Sequence, residues 1–439
     1  MNSRHPLRFS AQVSPVSTHS LPGADDILRV HLDNGISVLS RANFNSPSVV
    51  INGYLVAGGI FDPDEKLGLS GYTAAALMRG TENRDFYQIY DALETAGASL
   101  GIGGGVNNVS FSGRALAEDL DLLLELLADV LSSPTFPIEH VERLRAQILT
   151  GLAIRAQDTQ DMSGLAFDQI VYAGHPYSRP EDGYPETITA IGQTDLRAFH
   201  HHHYGPRGLV MSVVGAIDPE RVVEKVSSAL GDWNNPHQPE APDLPPVRRL
   251  EEVVTQRVAI PEKSQSDIVV GAAGPSRFAA GYLAASLGNS VLGQFGMMDR
   301  IGEAVREKAG LAYYAHSSLS GGIGPGPWYV SAGVDPENVE RAVELIRIEL
   351  TRFVREPVSA EELSDSQAQF VGSLPLSLES NAGVAAAMVS LERYGLGLDY
   401  LRKYSDLIKA ITTEEVLDAA RRYLDPDRLA VAIAGPEGE

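Results

Sequence analysis

Residues 190–215, AIGQTDLRAFHHHHYGPRGLVMSVVG, and residues 410–435, AITTEEVLDAARRYLDPDRLAVAIAG, are two versions of one pattern. Each opens on Ala-Ile, passes a threonine followed by an acid (Thr194-Asp195, Thr413-Glu414), carries a tyrosine (Tyr204, Tyr423) and ends in an apolar strand-like run that stops at glycine. Gly215 and Gly435 are 220 residues apart. A second echo sets PIEHVERLRAQI against VSAEELSDSQAQF, with Ala146-Gln147 matching Ala368-Gln369 at an offset of 222. Two echoes at nearly one offset predict two related halves in tandem. Between them lies DWNNPHQPEAPDLPPV, Asp232 to Val247, rich in Pro, Asn and Asp and without hydrophobic period, which reads as an extended linker. The expected division is therefore an N-terminal extension over 1–24, a first domain over 25–231, the linker over 232–247 and a second domain over 248–439.

Length and composition agree. At 439 residues the chain exceeds what one hydrophobic core usually fills. It is 44% hydrophobic and 21% charged and has no apolar run long enough to span a bilayer, which excludes a membrane protein. With 57 acidic against 35 basic residues, the formal net charge is −22, so polyanions are repelled and nucleic-acid binding is not expected. There is no cysteine, which removes disulfides, thiol nucleophiles and thiolate zinc sites and leaves His, Asp and Glu as the strong metal ligands. Residues 1–24 hold Arg4, His5, Arg8 and several serines with no acid before Asp25. That composition resembles an organellar transit segment; the plainer reading is a disordered extension, with cytoplasmic location as the default.

Strands are expected at Ser48–Val56, Asn108–Phe111, Gly208–Val214, Asp267–Val270, Trp328–Ala332 and Ala430–Ala434, with helices between them. Long helices are expected over Leu116–Leu131 and Glu337–Val354, the second opened by Asp335 as N-cap with Pro336 at the first helical position. The class is α+β. Each half is expected to form a mixed, mostly antiparallel sheet with helices on one face, and the halves to form a clamshell.

The first chemical signal is GLSGYTAAALMRGT, Gly68 to Thr81, which follows a strand and AGGIFDPDEKL. It resembles the first motif of the pitrilysin and insulinase-type inverzincins, where a helix carries H-x-x-E-H between a Gly-Leu pair and a downstream Gly-Thr. Gly68, Leu69, Gly80 and Thr81 fit that frame. In the family, two histidines four residues apart hold zinc and the glutamate activates water. Here Gly71 and Ala75 stand at the histidine positions and Ala74 at the glutamate. The family's distal glutamate ligand aligns with Gly151. Three ligands and the general base are thus replaced by Gly and Ala, so no metal is expected in this chain. Gly71 costs about 1 kcal/mol in a helix interior, so close packing or the approach of a partner or ligand must keep it small.

The second signal is DRIGEAVREKAGLAYYA, Asp299 to Ala315. R-E-K-x-G-L-A-Y resembles the family's C-terminal substrate-binding motif, in which an arginine and a tyrosine face the zinc site across a closed chamber. The resemblance places Arg306 and Tyr313 in those roles, both able to donate to a peptide carbonyl and the oxyanion that forms on it. Without the family frame, Arg306 reads as a helix residue paired with Glu303 or Glu307, and Tyr313 as a half-buried strand aromatic. Tyr314 competes, because a one-residue shift reverses the strand face.

Together the two signals imply a split site: a non-catalytic subunit of a heterodimeric zinc peptidase, inactive alone, that supplies Arg306 and Tyr313 to a homologous H-x-x-E-H subunit holding the zinc and cleaving peptides or unfolded polypeptide. The alternatives are a peptidase-derived assembly protein with no role in catalysis and a stand-alone peptide-binding module. Three weaker features complete the reading. His200–His203 end a helix, where cations favour the dipole, and are also candidates for incidental metal capture. The glycines at 101, 103, 104 and 105 fall where the family has an edge strand that pairs with bound peptide, though a bulge serves equally. SGGIGPGPW, Ser320 to Trp328, has the composition of a substrate-gating loop or of a long hairpin connection.

Overall fold

The computed structural model describes residues 21–295 and 299–437. Most of the N-terminal extension therefore lies outside the described residues. The first half forms six strands: β1 (Leu28–His31), β2 (Ser37–Ala42), β3 (Ser48–Leu55), β4 (Ser99–Gly104), β5 (Val109–Leu116) and β6 (Val210–Gly215), in sheet order β1-β2-β6-β3-β5-β4. The second half forms β7 (Val254–Ala259), β8 (Ser266–Ala273), β9 (Ala312–Leu319), β10 (Pro327–Val334) and β11 (Ala430–Gly435), in order β7-β11-β8-β10-β9. The two sheets share one topology. In each, the last strand of the half lies inside the sheet, parallel to one neighbour (β2 with β6, β7 with β11), and all other pairings among the described residues are antiparallel. The repeated segments that end at Gly215 and Gly435 are thus the two central strands. Between Asp232 and Glu252 the chain forms neither helix nor strand.

Local chemistry sets the element ends. Ser359 and Glu362 form a reciprocal capping box that starts the helix Ala360–Ser377, and Thr412 with Glu415 does the same for Thr413–Tyr423. Asp335 accepts the Glu337 amide, but it opens a 3₁₀ turn over Pro336–Asn338, and the long helix runs over Val339–Arg355. The expected helix from Leu116 begins four residues later, at Leu120, because Leu116 still belongs to β5 and residues 117–119 form a tight turn.

The burial of β5 alternates along its length, as in a sheet with one wet face, whereas every residue of β6 and β11 is buried. One face of each sheet packs on its own half's helices; Leu123, Leu127, Val222 and Val226 join Val38, Ile51 and Val213 in the first core. The second face of each central strand is covered by a helix from the other half. Helix Asn381–Arg393 lays Val384, Ala385 and Met388 on Leu39, Val210 and Val214, and Ser212 Oγ donates to the Ala385 carbonyl at 2.8 Å. Helix Thr159–Val171 lays Ala166, Phe167 and Ile170 on Val269, Ala430 and Ala432. This reciprocal exchange adds to the expected one-sided packing and ties the halves together. Each fully buried Val, Ile, Phe or Met there contributes about 1.5–3 kcal/mol.

Candidate functional site

The helix that carries the degenerate motif spans Leu69–Ala76. Gly68 enters it at φ 92°, a left-handed conformation that glycine adopts without strain. The Asp62 carboxylate accepts the Gly68 and Ser70 amides, each at 2.9 Å, and so satisfies the free helix N-terminus. Burial pushes Asp62 up to about 7 against those hydrogen bonds.

Gly71 and Ala75, one turn apart, line a cavity of about 280 Å³ together with Tyr72, Gly104, Gly105 and Ile148. Ala74 points inward and is 1% exposed. Gly151, on helix Ile138–Arg155, is exposed, and a methyl group added to it would meet nothing within 4 Å. A Cβ on Gly104 would approach Gly71 Cα to 2.8 Å, so the helix and edge strand β4 meet backbone to backbone. Packing therefore accounts for Gly104, whereas a Cβ on Gly71 itself would meet only the Glu181 carbonyl, at an ordinary contact distance of 3.5 Å. No residue at the four aligned positions can ligate a metal or take a proton, so the residues do not fit the family's zinc. Among the described residues no group of three His, Cys, Asp or Glu side chains is arranged to hold a metal ion.

Arg306 lies on a π-helical turn, Gly302–Lys308, with its side chain 37% exposed. Its contact with Glu307 is long, 3.9 Å, while Glu303 is engaged by Lys308 at 3.0 Å. Tyr313 and Tyr314 part company on β9. The β9–β10 register slips between Gly333 and Val334: Tyr314 faces Gly333 and Ala312 faces Val334, leaving Tyr313 as an extra residue. Such a bulge re-aims its side chain, and Tyr313 is 85% exposed. The Tyr314 ring lies against Gly333 and its hydroxyl donates to Asp267, with burial as the main cause of its raised pKa. Tyr314 is thus committed to the sheet, whereas Tyr313 is exposed.

A second cavity, about 490 Å³, opens between helix Thr159–Val171 of the first half and strands β8, β9 and β10 of the second, with His316, Tyr329 and Ser331 on one wall. Asp182 lines both cavities. Its carboxylate is paired with Arg155, which also donates to the Gly183 carbonyl at 2.9 Å. Two other acids, Asp161 and Asp168, line this second cavity, and Glu181 lines the first. Burial, reinforced by the charge of Glu181, pushes Asp168 up to about 7; burial also raises Asp161 and Glu181, although Glu181 remains open to solvent along part of its length. Burial lowers His316, so its imidazole favours the neutral form. Carboxyl groups thus outnumber basic side chains on this wall, where Arg155 also lies, and burial shifts Asp161 and Asp168 toward their protonated forms.

The Ser320–Trp328 loop is fastened across the halves. Gly324 N–H donates to the Tyr177 hydroxyl at 3.0 Å, the Tyr172 hydroxyl donates to the Pro325 carbonyl at 3.1 Å, and Asn107 Nδ2 donates to Tyr177 at 3.1 Å. The glycine-rich strand β4 is the sheet edge and pairs only with β5. The histidine run does end a helix, Gln193–His203, but burial holds His200 and His203 down to about 4. They are neutral, so the charge–dipole reading fails for those two: His200 contacts the Leu131 carbonyl at 2.9 Å and His203 stacks on Phe199 and Phe61. Sequence reasoning missed Asp168, Glu181 and Tyr177; an acid set among apolar residues of a helical segment, Asp168 between Phe167 and Ile170, was the available signal for the first.

Both halves match one family. Residues 37–180 fit the family described as insulinase (peptidase family M16), and residues 190–370 fit the peptidase M16 inactive domain, so the chain belongs to peptidase family M16. Within it, a peptidase M16 inactive domain from Pseudomonas fluorescens is 26% identical, with a TM-score of 0.87 over 94% of this chain and 98% of that one. An uncharacterised zinc protease of Streptomyces coelicolor is 26% identical over 94% of this chain and 90% of its own. A protease from Helicobacter pylori, at 18% identity and a TM-score of 0.86 over 95% of this chain and 100% of that one, shares the fold. Among the described residues no helix is long and apolar enough to cross a membrane.

Proposed function

We propose that this chain is the non-catalytic subunit of a heterodimeric zinc peptidase, cytoplasmic and inactive alone, which presents Arg306 and Tyr313 to peptide held at the zinc of a homologous H-x-x-E-H subunit. The observation that carries the reading is a contrast: all four metal and base positions are inert, while the bulge on β9 leaves Tyr313 85% exposed. A buried aromatic would serve the fold; an exposed one, seven residues after an arginine that is itself partly exposed, is available to a ligand. In the closed complex the guanidinium and phenol donate to the scissile carbonyl and, more strongly, to the oxyanion that replaces it, which accelerates the step because the bond strengthens in the transition state. The Asp161 and Asp168 carboxyls that line the second cavity, where ionised, favour basic peptide segments over acidic ones. The test is co-expression with an H-x-x-E-H homologue and assay of peptide hydrolysis by each chain and by the mixture. Hydrolysis that needs both chains and is abolished by a chelator supports the reading. Full activity of the zinc-bearing chain alone, unchanged on adding this one, refutes it and favours an assembly or peptide-binding role.

A further inference from the structure

Where the linker meets the second sheet, a cavity of about 270 Å³ carries a charge opposite to that of the chain around it. Its rim is formed by Arg248, Arg249, Arg422 and Arg428, with Asp425 as the one acid lining it. Asp425 is already shared with Arg428 at 3.6 Å. Arg249 donates to the carbonyl of Arg422, which fixes two rim residues together without neutralising either. Among the described residues, Arg248 and Arg422 have no carboxylate in ion-pair range. The adjacent Arg421, by contrast, is used by the fold and donates to the Val354 carbonyl at 2.9 Å.

In a chain of net charge −22, four arginines lining one hollow repel each other, and the contacts of Arg428 with Asp425 and of Arg249 with the Arg422 carbonyl leave the charges of Arg248 and Arg422 unbalanced. Beneath them the floor is apolar, with Val171, Val247 and Ala273. The volume equals about nine waters at ~30 Å³ each, room for one or two side-chain-sized groups. We propose that this cavity binds a small amphiphilic carboxylate, whose apolar body sits on the floor while its anionic end is held by the Arg248 and Arg422 guanidiniums. Guanidinium matches carboxylate in bidentate geometry and works best where one side is already dry. Two sources carry this chemistry: the C-terminus of a peptide and a free aromatic or branched acid. Pro325 also lines the cavity and accepts from Tyr172, so an occupant leans on the loop that Tyr177 fastens over the chamber.

The test is calorimetric titration of the full chain at low salt with N-acetyl-Ala-Phe, its C-terminal amide and 3-phenylpropionate, with hydrogen exchange of residues 320–328 followed in parallel. The expected result is at least tenfold tighter binding of N-acetyl-Ala-Phe than of its amide, a loss of at least tenfold in the Arg248→Gln/Arg422→Gln variant at unchanged melting temperature, and slower exchange of the loop when bound. Binding of 3-phenylpropionate as tight as that of the peptide acid identifies a free acid as the source; much weaker binding identifies a peptide terminus. Equal affinity for acid and amide, no binding of either acid up to about 10 mM, or unchanged affinity in the double variant overturns the proposal.

Discussion

Phe167 belongs to the first half by sequence and to the second by packing, so replacing it tests the helix exchange directly. It is 1% exposed on helix Thr159–Val171, with its ring 5.6 Å from that of Tyr329 on β10, in a cluster that includes Val269, Ala430 and Ala432. Phe→Ala in such a site removes the transfer free energy of the ring and leaves a cavity, together about 3–5 kcal/mol. Against a total stability of about 5–15 kcal/mol, that is a large fraction. The loss should appear in the second sheet, far from residue 167 in sequence. Native-state hydrogen exchange should show the amides of β8 and β11 losing protection by about two to four orders of magnitude, at about 1.4 kcal/mol per factor of ten, while those of β5 change little. A destabilisation below about 1 kcal/mol, or a loss of protection confined to the first half, would refute the exchange.

Other perturbations test other links. Asp168 has a folded pKa near 7, above its unfolded value, so between about pH 4 and 7 the native state holds the extra proton and stability falls as pH rises. Asp168→Asn should therefore stabilise the chain at pH 8, by up to a few kcal/mol, and not at pH 4, as thermal melts at the two pH values will show; an equal effect at both removes the assigned cause. Tyr177→Phe removes the acceptor held by Gly324 and should cost about 1 kcal/mol, read as faster proteolysis within Ser320–Trp328. The triple change Gly71→His, Ala75→His and Gly151→Glu should create zinc binding that the parent chain lacks, since a Cβ at Gly71 meets only the Glu181 carbonyl at 3.5 Å and a Cβ at Gly151 meets nothing within 4 Å. Absence of stoichiometric zinc in the folded triple variant would mean that Gly151 is not the position of the third ligand.

The parts of this molecule legible in the sequence are those set by local pattern. The paired runs ending at Gly215 and Gly435 mark the same central strand in each half, and Pro and Asp in the linker leave no alternative to an extended segment. The inert motif at Gly71, Ala74 and Ala75 could be read by residue identity alone. What was not legible depends on contacts between distant segments. Periodicity shows that Ala166, Phe167 and Ile170 share a face but not which sheet that face meets, and Met388 poses the same problem in reverse. Tyr313 and Tyr314 are indistinguishable in sequence because the bulge that separates them is a property of the pairing with β10. His200 and His203 look like cations at a helix end until burial removes their charge.

The most direct test of the central claim is kcat for peptide cleavage by the reconstituted complex carrying Tyr313→Phe in this chain. The phenyl ring keeps the shape and removes the donor, so loss of one oxyanion contact predicts a fall of about 10²–10³ in kcat with the complex intact and KM little changed. A kcat equal to that of the unmodified complex would contradict the account.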